Sequence, residues 1–115
     1  MSSVKDIIAE IGADRRYNLH SHTQFCDGHA PMAEMVEGAL ASGLKFYGFT
    51  PHSPLPIASP CNMAAEDIGA YKAEAMRLRE LYDGRIRLYT GMEVDYLGPQ
   101  WGPSSPEVQA YGLDY

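Results

Sequence analysis

Positions 18–30, NLHSHTQFCDGHA, hold three of the chain's four histidines, one of its two cysteines and an aspartate. Imidazole nitrogens, thiolates and carboxylates are the ligands that proteins offer to transition-metal ions. His20 and His22 stand two apart, so on a strand they point to one face and can chelate a single ion at about 2.0–2.1 Å. Alone, an H-x-H pair is a weak signal. Its neighbours also have plain readings. Asp27 with Gly28 is a turn dipeptide, His29 lies beside a helix entry at Pro31, and Cys26, with no C-x-x-C partner, reads as a buried thiol. Two further candidates lie downstream, His52 among prolines and Glu93 in GMEVDY; a loop filler and a surface carboxylate are their ordinary alternatives. Metal-assisted chemistry requires these residues to meet across most of the chain's length.

The elements that must bring them together alternate. Val4, Ile7, Ile8 and Ile11 fall at helical spacing, and residues 16–22 read as a first strand entering the histidines. Pro31 suits a first helical position, where its missing N–H costs nothing, and Met32, Met35, Val36, Ala39 and Leu40 continue the helical pattern to Gly43. Residues 44–50, LKFYGFT, are an aromatic-rich run suited to a buried strand. The stretch PHSPLPIASP, four prolines in ten residues, is barred from regular structure and reads as a functional loop or lid. Ile68, Tyr71, Ala75, Leu78 and Tyr82 mark a helix over 65–82 that Asp83-Gly84 stops. Residues 85–94 read as a third strand and 105–111 as a last short helix. Strand, helix, strand, helix, strand predicts βαβ crossovers and a parallel α/β sheet. His20 and His22 then stand at the C-terminal end of the first strand, His52 just past the second and Glu93 near the end of the third. That is the sheet edge on which α/β barrels carry their active sites.

Composition narrows the partners. A chain of 115 residues has material for one domain, and 45% hydrophobic residues suffice for a core. Nine Lys and Arg against fifteen Asp and Glu, a net charge of −6, argue against a binder of nucleic-acid backbones. No apolar run approaches the ~20 residues of a membrane span. Acids mixed with bases and no long apolar block in residues 1–18 argue against a secretory signal, and two cysteines make no disulfide framework. The expectation is a cytoplasmic protein. No nucleophile elbow, phosphate-cradling glycine loop or recognisable Cys-His pair offers catalysis without a metal.

NLHSHTQFCDG, GFTPHSP and GMEVDY, in that order, resemble the first three metal-binding motifs of the PHP (polymerase and histidinol phosphatase) superfamily, over nearly the whole chain from Tyr17 onward. HSHTQFCDGHAPM, the SPLP loop and GMEVDY are most similar to the histidinol-phosphatase branch. The resemblance implies the N-terminal part of a distorted (β/α)7 TIM-like barrel, with residues 1–16 a helical extension and 17–115 a partial PHP domain whose C-terminal half is absent. It implies hydrolysis of the small phosphorylated substrate L-histidinol phosphate to L-histidinol and phosphate, in histidine biosynthesis, at a cluster of up to three divalent metals (zinc, manganese or iron). Carried over by motif, His20 and His22 bind the first metal, Glu93 bridges the first and second, and Asp27 and His52 serve the third. His20, His22 and Glu93 would act catalytically through the metal, and His29 stands as a substitute for Asp27 or a substrate-side residue. Pro51 departs from relatives that carry an acid before the second-strand histidine. The ligands that the family draws from later strands do not occur, and such a barrel takes on the order of 250 residues. The resemblance therefore implies the first half of a longer enzyme, itself binding one or two metals weakly without turnover, with an open strand edge that invites self-association. Two other readings stay open: another PHP phosphoesterase or polymerase-associated nuclease-like domain, and a non-catalytic metal-binding or interaction module.

Overall fold

The aromatic and aliphatic residues at 46–49 and 86–90 need partners on both faces and on their edges, and they find edge partners in each other. The computed structural model describes residues 3–115. Along them run α1 (Val4–Ile11), β1 (Tyr17–Asn18), α2 (Met32–Ala41), β2 (Phe46–Phe49), a 3-10 turn (Ala65–Asp67) leading into α3 (Ile68–Leu81), β3 (Arg87–Thr90) and α4 (Pro106–Gln109). The sheet is parallel with order β1-β2-β3, in register Tyr17↔Phe46 and Phe46↔Arg87. This is the expected α/β alternation. No described helix is long and apolar enough to cross a membrane.

All three strands are shorter than the sequence pattern predicts, and backbone bonds explain where they stop. The N–H of His20 turns to Asn18 Oδ1 at 3.0 Å instead of joining a ladder, which ends β1. Arg85 and Ile86 donate back to the Tyr82 carbonyl, so β3 starts only at Arg87. The helices lie closer to expectation. Ser3 and Asp6 form a capping box that starts α1. Pro31 takes the N-cap of α2, one position before the first helical residue, and Gln24 Oε1 accepts the Met32 N–H at 3.1 Å.

One face of the sheet carries α2 and α3. Met32, Val36 and Ala39 of α2 and Tyr71, Ala75 and Leu78 of α3 pack on Tyr47, Phe49 and Leu88 in one buried cluster. Full burial of such a side chain stabilises by about 1.5–3 kcal/mol. The face opposite Leu88 belongs to Arg87 and Tyr89 and is covered by α1, whose Glu10 accepts bonds from Arg87 Nε at 2.9 Å and from the Tyr89 hydroxyl. Tyr115 covers the same face higher up. Its hydroxyl donates to the Leu19 carbonyl, and a Cβ at Gly48 or Gly91 would run into its ring. The tail also sits on the outer edge of β3, where Asp114 N–H donates to Thr90 O at 2.8 Å and its carboxylate accepts the Thr90 N–H at 2.9 Å. That edge is partly covered rather than bare.

Beyond β3 the pairing with β2 continues irregularly, and the reason is Pro51. Gly91 N–H donates to Phe49 O, Glu93 N–H to Pro51 O and Ser53 N–H to Glu93 O, at 2.8, 2.9 and 2.9 Å. In that alternation the donor owed to Gly91 O is the N–H of residue 51, which proline lacks. Tyr71 replaces it: the fully buried phenol donates to Gly91 O at 2.7 Å and also reaches Phe49 O at 3.2 Å. Burial pushes its pKa up, so it stays a donor.

Two predictions follow from these bonds. Tyr71→Phe leaves Gly91 O without its donor and should cost about 1–3 kcal/mol in urea unfolding. In a Pro51→Ala background the restored N–H can serve Gly91 O, so the cost should fall below about 1 kcal/mol; equal costs in both backgrounds would contradict this. Burial pushes the Glu10 carboxyl up, but the bonds from Tyr89 and Arg87 and the nearby arginine charges outweigh it, holding it below its ordinary 4.5. Its contribution is present above that pH and is lost as pH falls through the lower folded value. Glu10→Gln should cost at most about 1 kcal/mol at neutral pH, because the pair is part exposed, and should flatten the acid limb of stability below 4.5.

Candidate metal centre

The irregular continuation of β2 and β3 carries the chemistry. His52 and Glu93 form an isolated parallel bridge, so the two residues leave neighbouring strand tips side by side. The tip of β1 is held to that of β2 through Thr50: its N–H donates to Ser21 O at 2.7 Å and its Oγ1 accepts the Ser21 N–H at 3.0 Å. Between His20 and α2 the chain winds on one carbonyl, Thr23 O, which accepts from Cys26 at 3.1 Å and Gly28 at 2.9 Å. A Cβ on Gly28 would lie 2.6 Å from Thr23 N, so only glycine lets the loop close this tightly. That closure returns Asp27 to His22.

His22 Nδ1 lies 2.6 Å from Asp27 Oδ1, and His22 Nε2 lies 3.0 Å from Glu93 Oε2. On the other side His52 Nε2 is 3.4 Å from Asp27 Oδ2, and His52 Nδ1 is 3.1 Å from Glu93 Oε2. Two imidazoles and two carboxylates thus alternate in a closed ring, with the His22 and His52 rings edge to face at 4.4 Å. His20 stands beside it, its ring 5.2 Å from that of His22 and its Nδ1 2.9 Å from Thr50 Oγ1. Hydrogen bonding to His22 holds the Asp27 carboxyl below the usual carboxylate range against a burial penalty, aided by the Cys26 thiol and the electrostatics of the two neighbouring imidazoles.

The geometry fits a divalent cation. Two sets of three residues, His20, His22 and Glu93 and then His22, Asp27 and His52, each bring one ligand atom per residue within 4.8 Å of one another. His52 Nδ1 and Glu93 Oε2 are buried and make no hydrogen bond, although they lie 3.1 Å apart. Leaving such atoms unpaired costs about 1–3 kcal/mol each, and a shared cation is the partner that a nitrogen lone pair and a carboxylate oxygen can both accept. The side chains of His52 and His22 are 22% and 26% exposed, so solvent and a small substrate can reach them.

His22 belongs to both groups, whereas motif transfer placed it with one ion and Asp27 with another. His29 is exposed and in neither group. Cys26 is half-buried rather than sealed; its thiol donates to Asp27 Oδ1 at 3.4 Å and lies outside both groups. Sequence reasoning passed over Thr50, Tyr71 and Asn62. Thr50 directly precedes Pro51 and His52, and Tyr71 carries only a core pattern. Asn62 Nδ2 donates to Ser53 O at 2.8 Å and Asp95 Oδ2 at 3.3 Å, pinning the proline-rich loop to the strand that bears Glu93.

A PHP domain model matches residues 18–113, and the chain belongs to the PHP domain family, on its histidinol-phosphatase branch. The histidinol-phosphatase of Bacillus subtilis is 33% identical over 87 residues, which are 68% of this chain and 32% of that protein. The hisK product of Listeria monocytogenes, assigned as a histidinol phosphatase, superposes with a TM-score of 0.65 at 28% identity, over 70% of this chain and 35% of its own. The Lactococcus lactis histidinol phosphate phosphatase, solved with zinc, L-histidinol and phosphate, gives 0.54 at 26% identity over 69% and 30%. The chain spans about a third of the length of the curated relatives it matches.

Because His22 is common to both ligand groups, the two histidines of the pair should differ. In calorimetric zinc titrations His22→Ala should weaken binding more than His20→Ala, because it takes a ligand from both groups whereas His20→Ala leaves His22, Asp27 and His52 in place. Equal losses from the two substitutions would contradict the shared position of His22.

Proposed function

We propose that this chain carries the first part of a metal-dependent phosphomonoesterase whose substrate is L-histidinol phosphate, hydrolysed to L-histidinol and phosphate. The observation that supports this reading most is the gathering of His20, His22, Asp27, His52 and Glu93 at three strand tips in a chain that matches the PHP domain from residue 18 to 113. The zinc, L-histidinol and phosphate held by the Lactococcus neighbour add the substrate and metal classes. On this reading residues 17–115 are the N-terminal part of a distorted (β/α)7 barrel, residues 1–16 an N-terminal helical extension, and the protein a cytoplasmic enzyme of histidine biosynthesis.

His20, His22 and Glu93 would hold one ion, and His22, Asp27 and His52 offer a second position. Zinc, manganese or iron suits mixed imidazole and carboxylate ligands better than magnesium does. Such ions supply charge neutralisation for a phosphoryl group and lower the pKa of water. The rest falls to the chain. Glu93, with one oxygen between two imidazoles, places negative charge where cations must collect. Asp27, kept ionised, fixes His22 by accepting its Nδ1 proton, leaving Nε2 free as a ligand. The loop at 51–63, tied down by Asn62, walls the site on the His52 side and would order the organic half of the substrate.

The test is phosphate release by the manganese- or zinc-loaded protein, run on the 115 residues alone and with the further length that the relatives carry. The longer form should hydrolyse L-histidinol phosphate in preference to p-nitrophenyl phosphate and leave single-stranded DNA intact, and His22→Ala should lower turnover at least about 100-fold. The short chain should stay at background. Undiminished turnover in a metal-loaded His22→Ala protein would overturn the assignment, and DNA cleavage would favour a nuclease-like relative.

A further inference from the structure

Thr50 is 5% exposed, and its hydroxyl stands among three polar atoms at the tips of β1 and β2: Ser21 N at 3.0 Å, His20 Nδ1 at 2.9 Å and Ser21 O at 3.3 Å. A hydroxyl has one proton and two acceptor lone pairs. The Ser21 N–H takes one lone pair. If the hydroxyl proton went to His20 Nδ1, the imidazole would carry its own proton on Nε2, and that nitrogen would repel a cation. If the proton goes instead to Ser21 O, the second lone pair accepts Nδ1–H from His20, and Nε2 is left bare. Both arrangements satisfy the hydroxyl and Ser21, whose carbonyl already accepts the Thr50 N–H at 2.7 Å and has a lone pair to spare, but only the second leaves His20 a bare nitrogen for a cation.

We propose that Thr50 is a positioning residue: its hydroxyl, locked to both backbone groups of Ser21, fixes His20 as the Nδ1–H tautomer and thereby presents Nε2 to the ion shared with His22 and Glu93. The group it adds to the site is a hydrogen-bond acceptor tied to the backbone of Ser21, where His22 has the Asp27 carboxylate. Placed immediately before Pro51 and His52, the same residue ties the orientation of His20 to the tip from which His52 departs. This rests on the metal reading above, and it fixes a proton position that can be read without metal.

The decisive experiment uses the 115-residue chain labelled with 15N at histidine. Two-bond 1H–15N correlations on the metal-free protein should assign the proton of His20 to Nδ1, and an Nε2–H ring would overturn the proposal whatever any variant does. Thr50→Val keeps the shape and removes the acceptor; it should shift His20 toward the Nε2–H form and weaken zinc binding at the His20 site about 10-fold or more. Thr50→Ser restores the hydroxyl and should stay within about threefold of wild type. Wild-type affinity and an unchanged His20 spectrum in a folded Thr50→Val protein would overturn the proposal, as would equal loss in the serine variant. A wild-type chain that took up no zinc would refute the metal reading, while the tautomer measurement would still decide the role of Thr50.

Discussion

The parallel register between β2 and β3 is the constraint on which everything else depends. It sets Phe49 beside Thr90 and, carried three residues further, His52 beside Glu93. Parallel strands expose the same end at the same edge, so ligands far apart in sequence become neighbours without any long excursion of the chain. The extension survives a proline in the ladder because Tyr71, reaching up from α3, supplies the donor that Pro51 lacks. Packing therefore acts directly on chemistry here. A core residue on the helical layer holds the carbonyls of β2 and β3 at the distance from which His52 and Glu93 emerge.

Without an ion the ligands are held by one another. Each imidazole of the ring faces two carboxylates and each carboxylate two imidazoles, an arrangement that offsets charge while leaving Glu93 Oε2 and His52 Nδ1 unpaired. The pre-set geometry also explains the glycine at position 28: the loop folds back on Thr23 so closely, to deliver Asp27, that a Cβ there would lie 2.6 Å from Thr23 N. A cavity of about 530 Å³ elsewhere, between α3 and the tail, holds none of the five residues, and its Arg79 and Lys72 are engaged by Asp114 and the Tyr111 carbonyl.

How much of this was legible follows from what kind of signal each part leaves. Helical periodicity located α1 to the residue and α3 within a turn, because burial of one stripe repeats every three or four positions. Strand order was legible through alternation of elements. Strand length was not, since the ends are set by single bonds: His20 to Asn18, Arg85 and Ile86 to Tyr82, and the donor missing at Pro51. Four candidate ligands, His20, His22, His52 and Glu93, could be named from residue type and strand-end position and Asp27 from the motif resemblance, but their sharing could not, because His22 belongs to both groups through a loop closure that Gly28 and Thr23 explain. Pro51 looked like the loss of a partner at the second-strand histidine. Its structural consequence lies one strand away, at Gly91. The bare sheet edge expected after β3 is partly filled by Asp114, whose side chain mimics a backbone acceptor.

The account's central claim is that three strand tips form one mixed imidazole and carboxylate centre. X-ray absorption at the zinc edge of the zinc-loaded chain addresses it most directly. The account predicts a first shell of nitrogen and oxygen only, at about 2.0–2.1 Å, with the outer-shell scattering of two or more imidazoles. A sulfur shell at about 2.3 Å, from Cys26 or Cys61, or a first shell without imidazole scattering would contradict it.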